Sequence, residues 1–67
     1  MNRNDYVVSG NGNDADYGRV DAVDGERCLV RWFGSLARTW SPVGDLLRCE
    51  TRAEAEREFQ RRYRPAP

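Results

Sequence analysis

Through the first fifty residues, apolar and polar positions alternate in short runs broken by Gly, Asn, Asp and Pro, and only after Thr51 does the spacing become helical. Tyr6-Val7-Val8 is a β-prone run. It is followed by Gly10-Asn11-Gly12-Asn13-Asp14-Ala15-Asp16, a string of turn formers that reads as a mobile loop. Residues 17–22 form a second strand, turned back at Asp24-Gly25, and residues 28–33 a third, ended by Gly34-Ser35. Residues 36–41 form a fourth, closed by Pro42, which cannot sit in a central ladder. Val43-Gly44-Asp45 makes a short turn, and residues 46–49 a fifth strand.

The last segment carries its own start and stop. Thr51 followed three residues later by Glu54 is a capping box, and good helix formers run from there to Tyr63, with Pro65 as the stop. Acids gather early (Glu54, Glu56, Glu58) and arginines late (Arg57, Arg61, Arg62, Arg64), which suits the helix dipole. The apolar stripe is narrow: Ala55, Phe59 and Tyr63. A stripe of that width cannot hold a lone helix in water, so the helix must rest on the strands.

Faces set the expected register. A two-residue Asp24-Gly25 turn places Val20 opposite Leu29. A three-residue loop of Val23, Asp24 and Gly25, with Gly25 left-handed in a bulge, places Val20 opposite Cys28. The second register gathers the small apolar side chains, keeps Arg19, Asp21 and Arg31 together outside, and is the one expected. If Gly34-Ser35 is a two-residue turn, Phe33 pairs with Leu36, Arg31 with Arg38 and Leu29 with Trp40.

A chain of 67 residues is one small domain with a thin core, which excludes a doubly wound nucleotide-binding fold or a second domain with its own chemistry. Lys+Arg and Asp+Glu both count 11, so the net charge is zero, and every cation is Arg. Codon bias explains the absence of Lys most simply; bidentate recognition of phosphate or carboxylate is the sharper reading. The charge is mildly polarised. Residues 1–25 carry 2 Arg against 5 Asp, residues 26–48 carry 4 Arg against 2 acids, and residues 49–67 carry 5 Arg against 4 Glu. With no His, the usual near-neutral acid–base group and the commonest metal ligand are missing. Asp14 and Asp16 alternate in the D-x-D spacing of a metal-sharing carboxylate pair, but no distal Glu completes a calcium loop, so neither metal nor cofactor is expected. Cys28 and Cys49 read as small buried hydrophobes in a reducing compartment, with a disulfide left open. Residues 1–10 lack a basic-then-apolar leader and no apolar run reaches membrane length, so the expected setting is a bacterial or phage cytoplasm.

The stretch Tyr17-Gly18-Arg19-Val20-Asp21-Ala22-Val23-Asp24-Gly25-Glu26-Arg27-Cys28-Leu29-Val30-Arg31-Trp32 resembles the Tudor-like and KOW-like branches of the SH3-like small barrels, which often read G-x-V, V-D-G and V-x-V-x-W. Asp45-Leu46 is similar to the turn before their last strand. The resemblance covers residues 6–50 and implies a mainly β fold: a five-stranded SH3-like barrel over residues 1–50, a C-terminal α-helix over 51–64, and a tail at 65–67. Members of these groups bind nucleic acid, ribosomal or polymerase surfaces, methylated side chains or other proteins. Phe33 departs from the pattern, standing where relatives place Asp or Asn beside the turn Gly. Pro42-Val43, Leu46 and Arg48 are similar to the P-V-x-x-L-x-R stretch of a dihydrofolate-reducing barrel family. That family's Gln-aliphatic-Tyr step is replaced here by Thr39-Trp40-Ser41, and no enzyme is expected.

The expected function is therefore a non-enzymatic interaction module or regulator that binds a protein partner through Arg31, Phe33, Leu36, Arg38 and Trp40. The alternative is RNA or single-stranded DNA, held by Arg19, Arg31 and Arg38, with the interleaved rings of Tyr17, Phe33 and Trp40 for stacking. Two further readings accompany these. One is an aromatic cage drawn from Tyr6 or Tyr17, Trp32 or Phe33, and Trp40, with Asp14 or Asp16. The other is a homodimer through an uncovered apolar strip. Against all of them, Phe59 and Tyr63 of the helix are expected to cover the strip Leu29, Phe33, Leu36, Trp40.

Overall fold

Val7 and Val8 are adjacent and both fully buried, one on each face of the sheet. A strand covered on both sides needs no alternation, which is why Tyr6-Val7-Val8 reads as a continuous apolar run. The computed structural model describes residues 1–65. The last two residues of the expected 65–67 tail lie outside the described residues. The strands are β1 (Tyr6–Ser9), β2 (Asp16–Asp24), β3 (Arg27–Trp32), β4 (Arg38–Pro42) and β5 (Leu47–Cys49), followed by helix α1 (Arg52–Arg62). They form one antiparallel sheet in the order β4-β3-β2-β1-β5. The mainly β fold with a C-terminal helix is as expected. The sheet is open, with β4 and β5 as its edges. No helix among the described residues is long and apolar enough to cross a membrane.

The inner face carries Val7, Val20, Cys28, Val30 and Trp32, closed by Met1, Val43 and Leu46. Trp32 donates its indole N–H to Thr39 Oγ1 at 2.7 Å, satisfying the one polar atom of that ring. Val8, Cys49 and Ala55 form a second cluster with Tyr6, Tyr17 and Phe59, where α1 rests on β1, β2 and β5. The two free cysteines thus belong to cores on opposite faces, and burial pushes both thiols up.

The expected register between β2 and β3 is corrected. Val20 pairs with Val30, not Cys28; Asp24 pairs with Arg27 across a two-residue Gly25-Glu26 turn, and the shift falls at Asp21. Gly25 is left-handed (φ 60°), as expected, but the extra residue sits four positions earlier. A bulge there lets Val20 stay in the core while Asp21 points outward. Between β3 and β4, the pairs Arg31–Arg38 and Leu29–Trp40 form as expected. Phe33 and Leu36 do not pair. The Trp32 N–H donates to Ala37 O, so the turn is four residues long, and Leu36 adopts φ 60°.

The Thr51 cap forms, with Thr51 Oγ1 accepting from the Glu54 N–H, but the return bond of the expected capping box is shifted by one residue: Glu54 Oε2 accepts from the Glu50 N–H, each at 3.1 Å. The far end of α1 is tied to the 10–14 segment, which holds a 3-10 turn at Gly12–Asp14. Arg64 N–H donates to Gly12 O at 3.3 Å, and Arg62 Nη1 donates to Gly10 O at 3.5 Å. Glu58 accepts from Arg61 and from Arg62, and these bonds hold its carboxyl at about 2 against an ordinary 4.5. A lowered carboxyl stabilises the fold above its ordinary value and loses that contribution as pH falls toward the lowered one. The helical signal should therefore weaken between pH 4.5 and about 2. Circular dichroism of Glu58→Gln should show a flatter acid limb than the parent; identical limbs would remove this assignment.

Gly18 is fixed by close approach: a Cβ there would overlap the Arg31 carbonyl and reach 2.9 Å from Val30 Cγ1. Gly18→Ala should cost about 2 kcal/mol, as overpacking in a tight core does. In a domain of this size that lowers the thermal midpoint by roughly 10 °C. An unchanged midpoint would show that the two strands can separate freely at this position.

Candidate functional site

Outward-facing residues follow from the pairing. Tyr6 sits opposite Arg19, Arg19 opposite Arg31, and Arg31 opposite Arg38, so three arginines line up side by side across β2, β3 and β4. Like charges directly opposite one another repel. Asp21, carried outward by the bulge, answers this: its Oδ2 lies 3.3 Å from Arg31 Nε and 3.2 Å from Arg38 Nε. That oxygen is buried, and neither guanidinium is aligned on it as a hydrogen-bond donor, so charge alone holds the trio. Arg19 is oriented differently, donating from Nη2 to Asn4 Oδ1 at 2.8 Å. Asn4 is itself left-handed (φ 76°), a conformation its side chain tolerates.

Beside the row, α1 ends the covered part of this face. Arg52, its first residue, lies over the Phe33 ring with its guanidinium carbon 4.3 Å from the centroid. Phe33 meets Tyr17 edge-on at 5.2 Å, Tyr17 meets Phe59 at 5.0 Å, and Phe59 stacks on Tyr63 at 5.4 Å. The four rings seat the helix on the sheet and end in a platform for Arg52. Between platform and sheet lies a groove of about 390 Å³. Arg19, Arg31, Arg38 and Arg52 line it, Arg3 and Tyr6 close it, and Asp21 is its one acid.

The β3–β4 turn that presents Phe33 is anchored from below. Asp16 Oδ1 accepts from the Gly34 N–H at 2.9 Å and Oδ2 from the Ser35 N–H at 3.2 Å, while the Phe33 N–H donates to Tyr17 O. Gly34 allows this approach, since a Cβ there would stand 2.6 Å from Asp16 Oδ1.

The sequence-derived site is thus partly assembled. Arg19, Arg31 and Arg38 come together. Tyr17 and Phe33 are adjacent but engaged with each other and with Phe59 and Arg52. Leu36 is 85% exposed at the turn, and Trp40 is 49% exposed on edge strand β4. Leu29, opposite Trp40, is half-buried. The helix covers Tyr17 and Val8 rather than the Leu29/Trp40 pair, correcting the expectation that it masks the strip. The cage does not assemble either: Trp32 belongs to the opposite, inner core, and Asp16 is used by the turn. Among the described residues no group of three His, Cys, Asp or Glu side chains is placed to hold a metal. Arg3 and Arg52 were missed as groove members because nothing local marks them; only the tertiary fold brings residues 3 and 52 to one place. No family model, curated protein or solved structure matches the chain.

Asp16→Ala should leave the Gly34 and Ser35 amides without their charged acceptor. Losing such a bond is worth roughly 1.5 kcal/mol, so those two amides should exchange with solvent about tenfold faster. Unchanged exchange at both positions would show that the turn is held by other contacts.

Proposed function

We propose that this chain is an SH3-like module of the Tudor-like or KOW-like kind that binds nucleic acid through its arginine groove, without catalysing a reaction. The strand order and the 3-10 turn at Val43–Asp45 before β5 support the SH3-like reading. The functional reading rests on one observation: five guanidiniums and one carboxylate share a groove in a chain of zero net charge. Neighbouring strands are about 4.8 Å apart, so Arg19, Arg31 and Arg38 stem from adjacent positions of the sheet, with the Arg31 and Arg38 guanidiniums gathered at Asp21 and that of Arg19 turned toward Asn4. A guanidinium fork matches phosphate bidentately, and a phosphodiester backbone supplies anions in series. A protein partner at the residues first expected is less well supported, because Phe33 is taken by Tyr17 and Arg52 and does not pair with Leu36.

Affinity for an oligonucleotide should fall with salt. On a logarithmic plot the slope is about −0.7 for each phosphate neutralised on a single strand, hence about −2 for three arginines. Arg38→Gln should weaken binding and make the slope shallower by about 0.7. Fluorescence anisotropy across a salt series measures both. Binding that ignores salt would falsify the reading, and poly-glutamate bound as tightly as the oligonucleotide would reassign the groove to an acidic protein segment.

A further inference from the structure

Phosphate contacts position a strand but leave its bases unread, and two of the three rings first expected to stack on them, Tyr17 and Phe33, are occupied. One face of Phe33 lies under Arg52 and the ring meets Tyr17 in a T-shaped contact; Tyr17 is packed between Phe33 and Phe59. Trp32 is buried in the inner core. Trp40 is different. It lies on the same face as the arginine row, two residues beyond Arg38 on β4, and its side chain is half in solvent. At about 3.3 Å per residue, that places it roughly 7 Å from Arg38 along the strand.

Neither inner core nor helix packing uses this indole: neither apolar cluster includes it. Its strand is a sheet edge, so the ring can be approached from the open side. A base can lie flat on an indole only when its own face is uncovered, which is the condition of a single strand and not of a stacked duplex. Taking the groove as the phosphate track, we infer that Trp40 is its base-stacking platform and that the ligand is single-stranded. The backbone then crosses Arg19, Arg31 and Arg38, and one base turns back onto Trp40.

Two probes separate this inference from the groove reading it rests on: a labelled oligo-dT, and an abasic oligodeoxynucleotide of equal length that keeps the phosphates. At one fixed moderate salt, the parent protein should prefer oligo-dT about tenfold, the lower part of the range for one stacked base. Trp40→Ala should bind both probes at the abasic level, and Trp40→Phe should recover most of the preference. Because Trp32 is buried, quenching of tryptophan fluorescence by oligo-dT, and not by the abasic strand, should report Trp40 alone. An undiminished dT preference in Trp40→Ala overturns the inference while leaving the groove intact. Equal affinity for a duplex of the same sequence overturns it too, as does a two-chain species in sedimentation that Trp40→Ala abolishes. Failure of the parent to bind either probe overturns the groove reading and this inference with it.

Discussion

The outer face depends on one extra residue in β2. Without the bulge at Asp21, a strict alternation could not keep Val20 opposite Val30 in the core and also bring Cys28, paired with the exposed Val23, into that same core. With it, Asp21 is spare to the ladder and stands beside Arg31 and Arg38. Its position decides whether those two guanidiniums repel or share a counter-charge. Bulges re-aim side chains, and here the re-aimed side chain is the single acid of a groove built from arginines.

The second constraint is where the helix sits. A stripe of Ala55, Phe59 and Tyr63 is too narrow to cover five strands, and it covers the β5–β1–β2 side, where Ala55 is fully buried. The row of rings from Phe33 to Tyr63 fixes that seat and the place of Arg52 together. Half of the outer face therefore becomes core, and the other half remains a charged wall with Arg52 facing it. Asp16 contributes to the same end by holding the turn that carries Phe33.

Local rules made much of this legible. The strand runs, the Thr51 cap on the Glu54 N–H, and the pairs Arg31–Arg38 and Leu29–Trp40 follow from periodicity and turn chemistry. The place of the bulge was not legible, because Val-Asp-Ala-Val is equally compatible with regular pairing; burying Val20 opposite Val30 and Cys28 opposite Val23 on one face is what puts it at Asp21. Leu36 was misplaced for a related reason. Nothing in Leu announces a left-handed backbone, which is more often given to Gly or Asn. Arg3 and Arg52 join the site through contacts about fifty residues apart, which no local pattern encodes.

The row of arginines has no structural necessity. At solvent-facing positions of neighbouring strands, Thr or alternating charges would pair without repulsion, and like charges set opposite one another are destabilising. The chain does compensate some of its charges within itself: Glu58 serves Arg61 and Arg62, and Asp5 serves Arg48. It had acids to spare for the groove, since Asp and Glu match Arg in number over the whole chain. Only Asp21 is placed there. Five cations thus share one groove with a single carboxylate, while other arginines are neutralised elsewhere, and that imbalance is what the proposed anionic ligand would offset.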